Sequence, residues 1–426
     1  MKKVFLYIMF VAVGLGLQSC LHDDDEVFEK SAAERIDGVL NETIQTLEGA
    51  QYGWAFNYYM GVDYAYGSFT MTAQFKNGKV TLKQQGYTDV NDIYVAVTST
   101  YKMTRDQGPV LSFDTYNDIL HYYGDPAGAT APTDVTGYEA DFEFVVMGIS
   151  EDSNTIYLKG KKFGNYMTLQ RLEKPSDEYL AGVDYVTENM SSYAAMKYND
   201  GAITAKFMYG DNYTISYIDE NGEKETLTVP YTFTDEGVLF NQPITIGDNV
   251  ISGIHYVDGA ETLPLIDTEG QSITVSYDAV DVFPAGNWYI AASNLGEVAA
   301  AGFKSFTDMC KSNEGEDVDY AYIGTYGSGG YGFCFMSGGR YRGLEVFDFE
   351  TEGTDTITFS FGGSVDNGGW YRNYDNLADA TQPFYTTFKL TSDDAKNPSY
   401  FILTDVNNPD NVIKLVKDVV TYPAYK

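Results

Sequence analysis

A chain of 426 residues with 27 Lys and Arg against 61 Asp and Glu carries a formal net charge of −34 and has room for two to four domains. Its 44% hydrophobic content excludes wholesale disorder, and the acidic balance argues against a surface for nucleic-acid phosphates or anionic headgroups, so no nucleic-acid partner is expected. Three His and three Cys leave little for a His-rich metal centre or a zinc ribbon.

Residues 1–19 predict a lipoprotein signal peptide. Lys2 and Lys3 form a positive head, and Val4 to Leu17 form an apolar core shorter than the roughly 20 residues a membrane span needs. Leu17-Gln18-Ser19-Cys20 is similar to a bacterial lipobox, in which small residues precede a cysteine that is acylated and becomes the mature N-terminus. Acyl chains such as palmitate on Cys20 anchor at about 0.8 kcal/mol per buried methylene, so more than one chain is needed. Residues 20–30 then form an acidic tether containing Asp23, Asp24, Asp25 and Glu26, which reads as a solvated linker and, from its place behind the cysteine, resembles a lipoprotein surface-export signal.

Ser31-Ala32-Ala33-Glu34 reads as a capping box, with Ile36, Val39, Leu40, Thr43, Ile44 and Leu47 following at helical spacing. Further helices are expected at 176–193, after Pro175, and at 294–310, capped by Asn294 with Glu297. Nearly everything else reads as strand. Ser68 to Phe75 alternates apolar and polar residues into a Lys76-Asn77-Gly78-Lys79 hairpin turn, and Val80 starts the return strand. Comparable runs are 141–146, 155–158, 213–218, 226–233, 273–277, 331–336, 355–361, 384–390 and 400–403. The fold expected is mainly β: antiparallel sandwich or partly closed barrel units with a few short packed helices. Residues 142–171 can be laid against 387–416, and Trp54 and Trp288 each open an aromatic alternation. We therefore divide the chain into an N-terminal β unit with a leading helix (31–175), a middle β segment with its own helix (176–282) and a C-terminal β unit (283–426).

Catalytic signatures are few. Gly327-Ser328-Gly329-Gly330-Tyr331-Gly332 has the G-x-G-x-x-G spacing but leads into a strand, whereas a nucleotide loop must open a helix. His121 and His255 each neighbour a tyrosine and match no triad geometry. Cys310 and Cys334 are expected either to form a disulfide or to stay as buried thiols. No cofactor is expected. The nearest approach to calcium ligation is the oxygen-rich runs 313–319 and 405–410, neither with EF-hand spacing. The segment from Asp366 to Asn376 departs from strand alternation. It is expected to be a ligand loop in which Trp370 stacks on the ligand beside Tyr371 and Tyr374. Asn367 and Asp375 would supply hydrogen bonds there, and Gly368 and Gly369 the bend.

The lipobox and acidic run, Val27 to Ile36, Tyr52-Gly53-Trp54 with Tyr58-Tyr59, and Asn154 to Arg171 around Tyr157 and Gly160-Lys161-Lys162 together carry a resemblance. The chain resembles a domain-of-unknown-function family of Bacteroidetes outer-membrane surface lipoproteins. The resemblance implies encoding beside SusC/SusD-like uptake systems and a lipid-anchored place on the outer membrane facing the cell exterior, but no activity. The expectation is a non-enzymatic accessory protein that captures glycan or peptide for an uptake complex. The alternative is a surface hydrolase using paired carboxylates.

Overall fold

The computed structural model describes residues 32–106, 108–127 and 137–421. The expected signal peptide, Cys20, the acidic tether and the Ser31 cap lie outside the described residues.

Helix α1 (Ala32–Glu48) leads into β1 (Trp54–Tyr59), β2 (Ser68–Lys76), β3 (Lys79–Gln84) and β4 (Val97–Thr100). The sheet continues through β5 (Lys102–Arg105), β6 (Pro109–Ser112), β7 (Glu143–Ile149), β8 (Thr155–Gly160) and β9 (Tyr166–Arg171). Helix α2 (Ser176–Met190) opens the middle unit, followed by β10 (Ala195–Asn199), β11 (Thr204–Met208), β12 (Tyr213–Ile218) and β13 (Lys224–Val229). Then come β14 (Tyr231–Thr234), β15 (Gly237–Ile246), β16 (Asn249–His255), β17 (Thr262–Ile266) and β18 (Ser272–Ser276). The third unit starts with α3 (Ala279–Ala285), β19 (Trp288–Leu295), α4 (Glu297–Met309), β20 (Val318–Thr325) and β21 (Tyr331–Ser337). It ends with β22 (Tyr341–Glu352), β23 (Thr356–Asp366), α5 (Asn367–Tyr371), α6 (Asp375–Thr381), β24 (Thr387–Ser392), β25 (Tyr400–Asp405) and β26 (Val412–Val416).

All three units follow one plan. Each is an antiparallel meander whose first strand pairs with its last: Trp54 with Arg171, Ala195 with Ser276, Tyr289 with Val416. The third closes as an eight-stranded barrel. In the first two, the fourth strand is broken in the middle, at Tyr101 between β4 and β5 and at Pro230 between β13 and β14. Proline has no N–H to give a ladder, which accounts for the second break. The expected strand 226–233 is therefore two strands, each pairing with a different neighbour. The likeness read between 142–171 and 387–416 falls on the last three strands of the first and third units.

The aromatic residues fill the interiors. Trp54, Phe56, Tyr58, Phe75 and Phe144 are buried in the first core, Tyr198, Phe207 and Tyr213 in the second, and Trp288, Phe306, Phe333 and Phe401 in the barrel. Two tryptophans tie the start of a unit to its leading helix. Trp54 Nε1 donates to the Leu47 carbonyl at 3.0 Å and Trp288 Nε1 to the Phe283 carbonyl at 2.7 Å, so each indole satisfies an end-of-helix acceptor. Helix α1 buries Thr43 and Leu47, while Leu40 is only half-buried and Val39 is exposed, so its docking concentrates in the C-terminal half. Asn294, expected as a helix cap, lies in β19; α4 starts at Glu297 with Gly296 before it and no side-chain cap.

The units are joined through side chains. Thr70 Oγ1 of β2 donates to the Phe233 carbonyl of β14 at 2.7 Å, and Ser68 Oγ donates to the Tyr231 carbonyl at 2.6 Å. Between the middle sheet and the barrel, buried Asp281 of α3 ion-pairs with Lys206 and Lys197 and accepts a hydrogen bond from Ser276.

Candidate functional site

One end of the barrel gathers three stretches distant in sequence. Helix α4 runs on through a wider turn, Cys310–Glu314, which Gly315 ends in a left-handed conformation at φ 70°. The β21–β22 turn carries Gly338, Gly339 and Arg340, and α5 and α6 follow β23. The segment expected to be a loop is thus two short helices. Gly368 is needed for close approach, since a Cβ there would collide with the Leu344 carbonyl of β22. Gly369 faces open space.

This packing divides the expected ligand residues. Trp370 is 59% exposed, whereas Trp54 and Trp288 are 0% and 3% exposed. Its Nε1 donates to Glu314 Oε1 at 3.4 Å, which steadies the indole edge and leaves ring surface in water. Tyr374 is half-buried and its hydroxyl donates to the same Glu314 oxygen, which pushes the phenol's pKa up. Tyr371 is buried, a correction to its expected place beside the ligand. The helical turn points its ring inward onto Phe335 and Phe306, and its hydroxyl donates to Glu316 Oε2 at 2.8 Å. Asn367 Nδ2 is spent on the Arg342 carbonyl at 2.8 Å, and Asp375 is exposed in the first turn of α6.

Sequence reasoning singled out the run 313–319 only as an oxygen-rich stretch and missed that its glutamates partner these aromatics. Glu314 and Glu316 lie more than 50 residues before the aromatics they meet, and no local pattern links them. They line an open cleft of about 600 Å³ with Asp317, Asp319, Gly338 and Arg340. Ser337 Oγ donates to Glu316 Oε2 at 3.0 Å, and Gly339 N donates to Asp319 Oδ2 at 2.6 Å. The wall is a set of fixed hydrogen-bond acceptors beside an exposed indole, an arrangement that can accept from hydroxyl or ammonium groups while a ring stacks.

An ion pair with a buried carboxylate and a partly exposed arginine anchors the platform. Glu345 of β22 is fully buried, accepts from Thr381 Oγ1 at 2.6 Å and from the Tyr385 hydroxyl, and meets Arg372 Nη1 at 2.6 Å. Arg372 also lies 3.9 Å over the Phe361 ring. Because it stands between α5 and α6, this pair fixes the helices that carry Trp370 and Tyr374.

The remaining candidates have structural roles. Cys310 and Cys334 are free thiols, so of the two expected alternatives the disulfide is corrected and the buried thiols stand. Along β21, Phe333 and Phe335 turn into the main barrel core that holds Cys310, and alternation sends Cys334 to the other face, into a cluster with Tyr326 and Leu344. Burial pushes both thiols up to about 12. His121 stacks on Phe142 with ring centroids 4.2 Å apart, and its Nδ1 accepts the Asn117 N–H at 3.1 Å; burial lowers its pKa. Of the two oxygen-rich runs, 405–410 spends Asp405 on the amides of Asn407 and Asn408 and on Asn411. Among the described residues no group of three or more His, Cys, Asp or Glu is arranged to hold a metal ion.

A family model described as a domain of unknown function (DUF4302) matches residues 24–257, covering the first unit and most of the middle one. No curated relative matches the sequence. Among solved structures, a DNA polymerase sliding clamp from Pseudomonas aeruginosa aligns at 10% identity over 90% of this chain and 98% of that one, with a TM-score of 0.12. A sliding clamp from Bartonella birtlesii aligns at 11% identity over 89% and 98%, with a TM-score of 0.12. One from Thermotoga maritima aligns at 8% identity over 89% and 96%, with a TM-score of 0.11. Superpositions this loose establish no shared fold.

Proposed function

The chain belongs to the family of the domain of unknown function DUF4302, and on that premise we propose that it is a lipid-anchored surface protein that captures glycan at the barrel's Trp370 wall. The anchor is Cys20, acylated after removal of residues 1–19 and followed by the acidic run from Asp23 to Glu26 as a surface-export signal. Its place is the outer membrane, facing the cell exterior, as an accessory to a SusC/SusD-like uptake complex. The observation that carries the binding role is the exposure of Trp370 in a chain whose other two tryptophans are buried. A planar ring in water offers a sugar face apolar contact with little side-chain entropy to lose. Glu314 stands at its edge as an acceptor for sugar hydroxyls.

Fractionation and binding test the two halves separately. Cys20→Ala is expected to release the protein from the outer-membrane fraction, and replacement of Asp23, Asp24, Asp25 and Glu26 by Ala to reduce its access to external protease while leaving acylation intact. A glycan array probed with the wild type and Trp370→Ala is expected to give signals that the variant loses. Selective capture of basic peptides instead would assign the wall to a cationic peptide, and turnover of a bound glycan would revive the paired-carboxylate hydrolase.

A further inference from the structure

A second cleft lies between the middle sheet and the barrel, and shares no lining residue with the Trp370 wall. The chain passes from β18 to α3 through Tyr277 and Asp278, and Asp281 clamps the passage by pairing α3 to Lys206 and Lys197 of the middle sheet. Beside this clamp is a space of about 550 Å³. Tyr193 and Tyr277 stand on its middle-unit side, and Asn287, Lys396, Asn397 and Lys417 on its barrel side.

Its charge is opposite to that of the chain. Asp and Glu supply 61 of 426 residues, yet none is among the described residues lining this cleft, while two lysines are. Four of the seven residues lining the cleft beside Trp370 are acidic. Lys417 Nζ donates to Asn397 Oδ1 at 2.7 Å and has no carboxylate within ion-pair distance among the described residues. Lys396 pairs with Glu261 of the middle unit at 3.0 Å, both side chains more than half exposed, and its ammonium lies 5.3 Å over the Tyr277 ring. An exposed pair of this kind gains little, so an incoming anion can take Lys396 at small cost. Junctions between domains are favoured places for ligands, and this volume lies in the range of small-molecule sites.

We propose that the inter-unit cleft binds an acidic sugar, a uronic-acid residue of an oligosaccharide. The carboxylate sits between Lys396 and Lys417, the hydroxyls reach the Asn287 and Asn397 amides, and the ring lies against the two tyrosines. Neutral sugars lack the group that the lysines select. The site stands independently of the Trp370 wall.

Isothermal titration of the full chain with a galacturonate trisaccharide, a neutral galactose trisaccharide and acetate tests this. The uronate trisaccharide is expected to bind, more weakly as salt rises, and at least about tenfold more tightly than either other probe. Lys417→Ala with Lys396→Ala is expected to lower that affinity at least about tenfold with an unchanged melting temperature, and Trp370→Ala to leave it unchanged. Absence of uronate binding, equal binding of the neutral trisaccharide, or wild-type affinity in the double lysine variant would overturn the proposal. Acetate binding as tightly as the trisaccharide would also overturn it, leaving a bare carboxylate site. Loss of uronate binding in Trp370→Ala alone would move the acidic sugar to the other wall.

Discussion

The three tryptophans divide into two buried ties and one exposed platform, and replacing each by Phe separates them. At Trp288 the indole N–H satisfies the Phe283 carbonyl at 2.7 Å within a core where Phe283 and Phe401 pack on the ring. Trp288→Phe leaves that carbonyl with only the Gly286 N–H at 3.2 Å, a lost hydrogen bond worth about 0.5–1.5 kcal/mol, and removes ring area worth roughly 1 kcal/mol more. A loss of about 1.5–2.5 kcal/mol is therefore expected on those two effects. Trp54→Phe is expected to behave alike, because its N–H serves Leu47 in the same way and Arg171 lies 4.7 Å over its ring. Trp370→Phe is expected to change stability by less than about 0.5 kcal/mol. Urea unfolding followed by far-ultraviolet circular dichroism gives all three values. Quenching by neutral acrylamide of the double variant lacking Trp54 and Trp288 is expected to reach nearly all remaining indole emission. Equal losses at the three positions, or a shielded Trp370, would refute the division.

Three other outcomes follow from the same packing. Cys310 and Cys334 are expected to resist a thiol reagent at pH 8 in the native protein and to react fully in denaturant, since both are buried and held up to about 12; rapid native labelling would contradict this. His121 has its folded pKa below the ordinary 6.5, so the unfolded chain binds more protons between the two values. Its contribution is therefore complete above pH 6.5 and lost as pH falls toward the lowered value, and His121→Gln is expected to flatten that part of the stability profile measured by urea unfolding. Arg372→Met is expected to cost about 2–4 kcal/mol by leaving buried Glu345 without its cation, with recovery when Glu345→Gln is added; urea unfolding that shows no recovery would deny the pairing.

The parts of the fold written in local chemistry were legible. The Lys76–Lys79 turn is where β2 meets β3, with Lys76 opposite Lys79 and both Asn77 and Gly78 at positive φ, as an Asn-Gly hairpin requires. Alternation placed 213–218 in a strand because one face of it is buried, whereas 331–336 is buried on both faces, with Phe333 and Phe335 on one and Cys334 on the other. Helix α3 escaped notice because it spans seven residues and contains Pro284, too short for an amphipathic period to show. Helix α5 escaped for a different reason: Gly368 and Gly369 read as a loop, and only the backbone of β22, far earlier in the chain, gives the buried glycine its purpose. The candidate site was half legible. The composition of 366–376 marked a departure from strand, but an exposed Trp370 and a buried Tyr371 look alike in sequence, and their glutamate partners come from another part of the chain.

The central claim is that Trp370 faces solvent in order to stack on a glycan. Its most direct test is Trp370→Ala, with glycan affinity and melting temperature measured on the same preparation, using a neutral oligosaccharide identified on the array. The expected result is loss of binding by at least about tenfold, as for removal of a central aromatic anchor, with the melting temperature unchanged. Retained affinity, or a large fall in melting temperature, would contradict it.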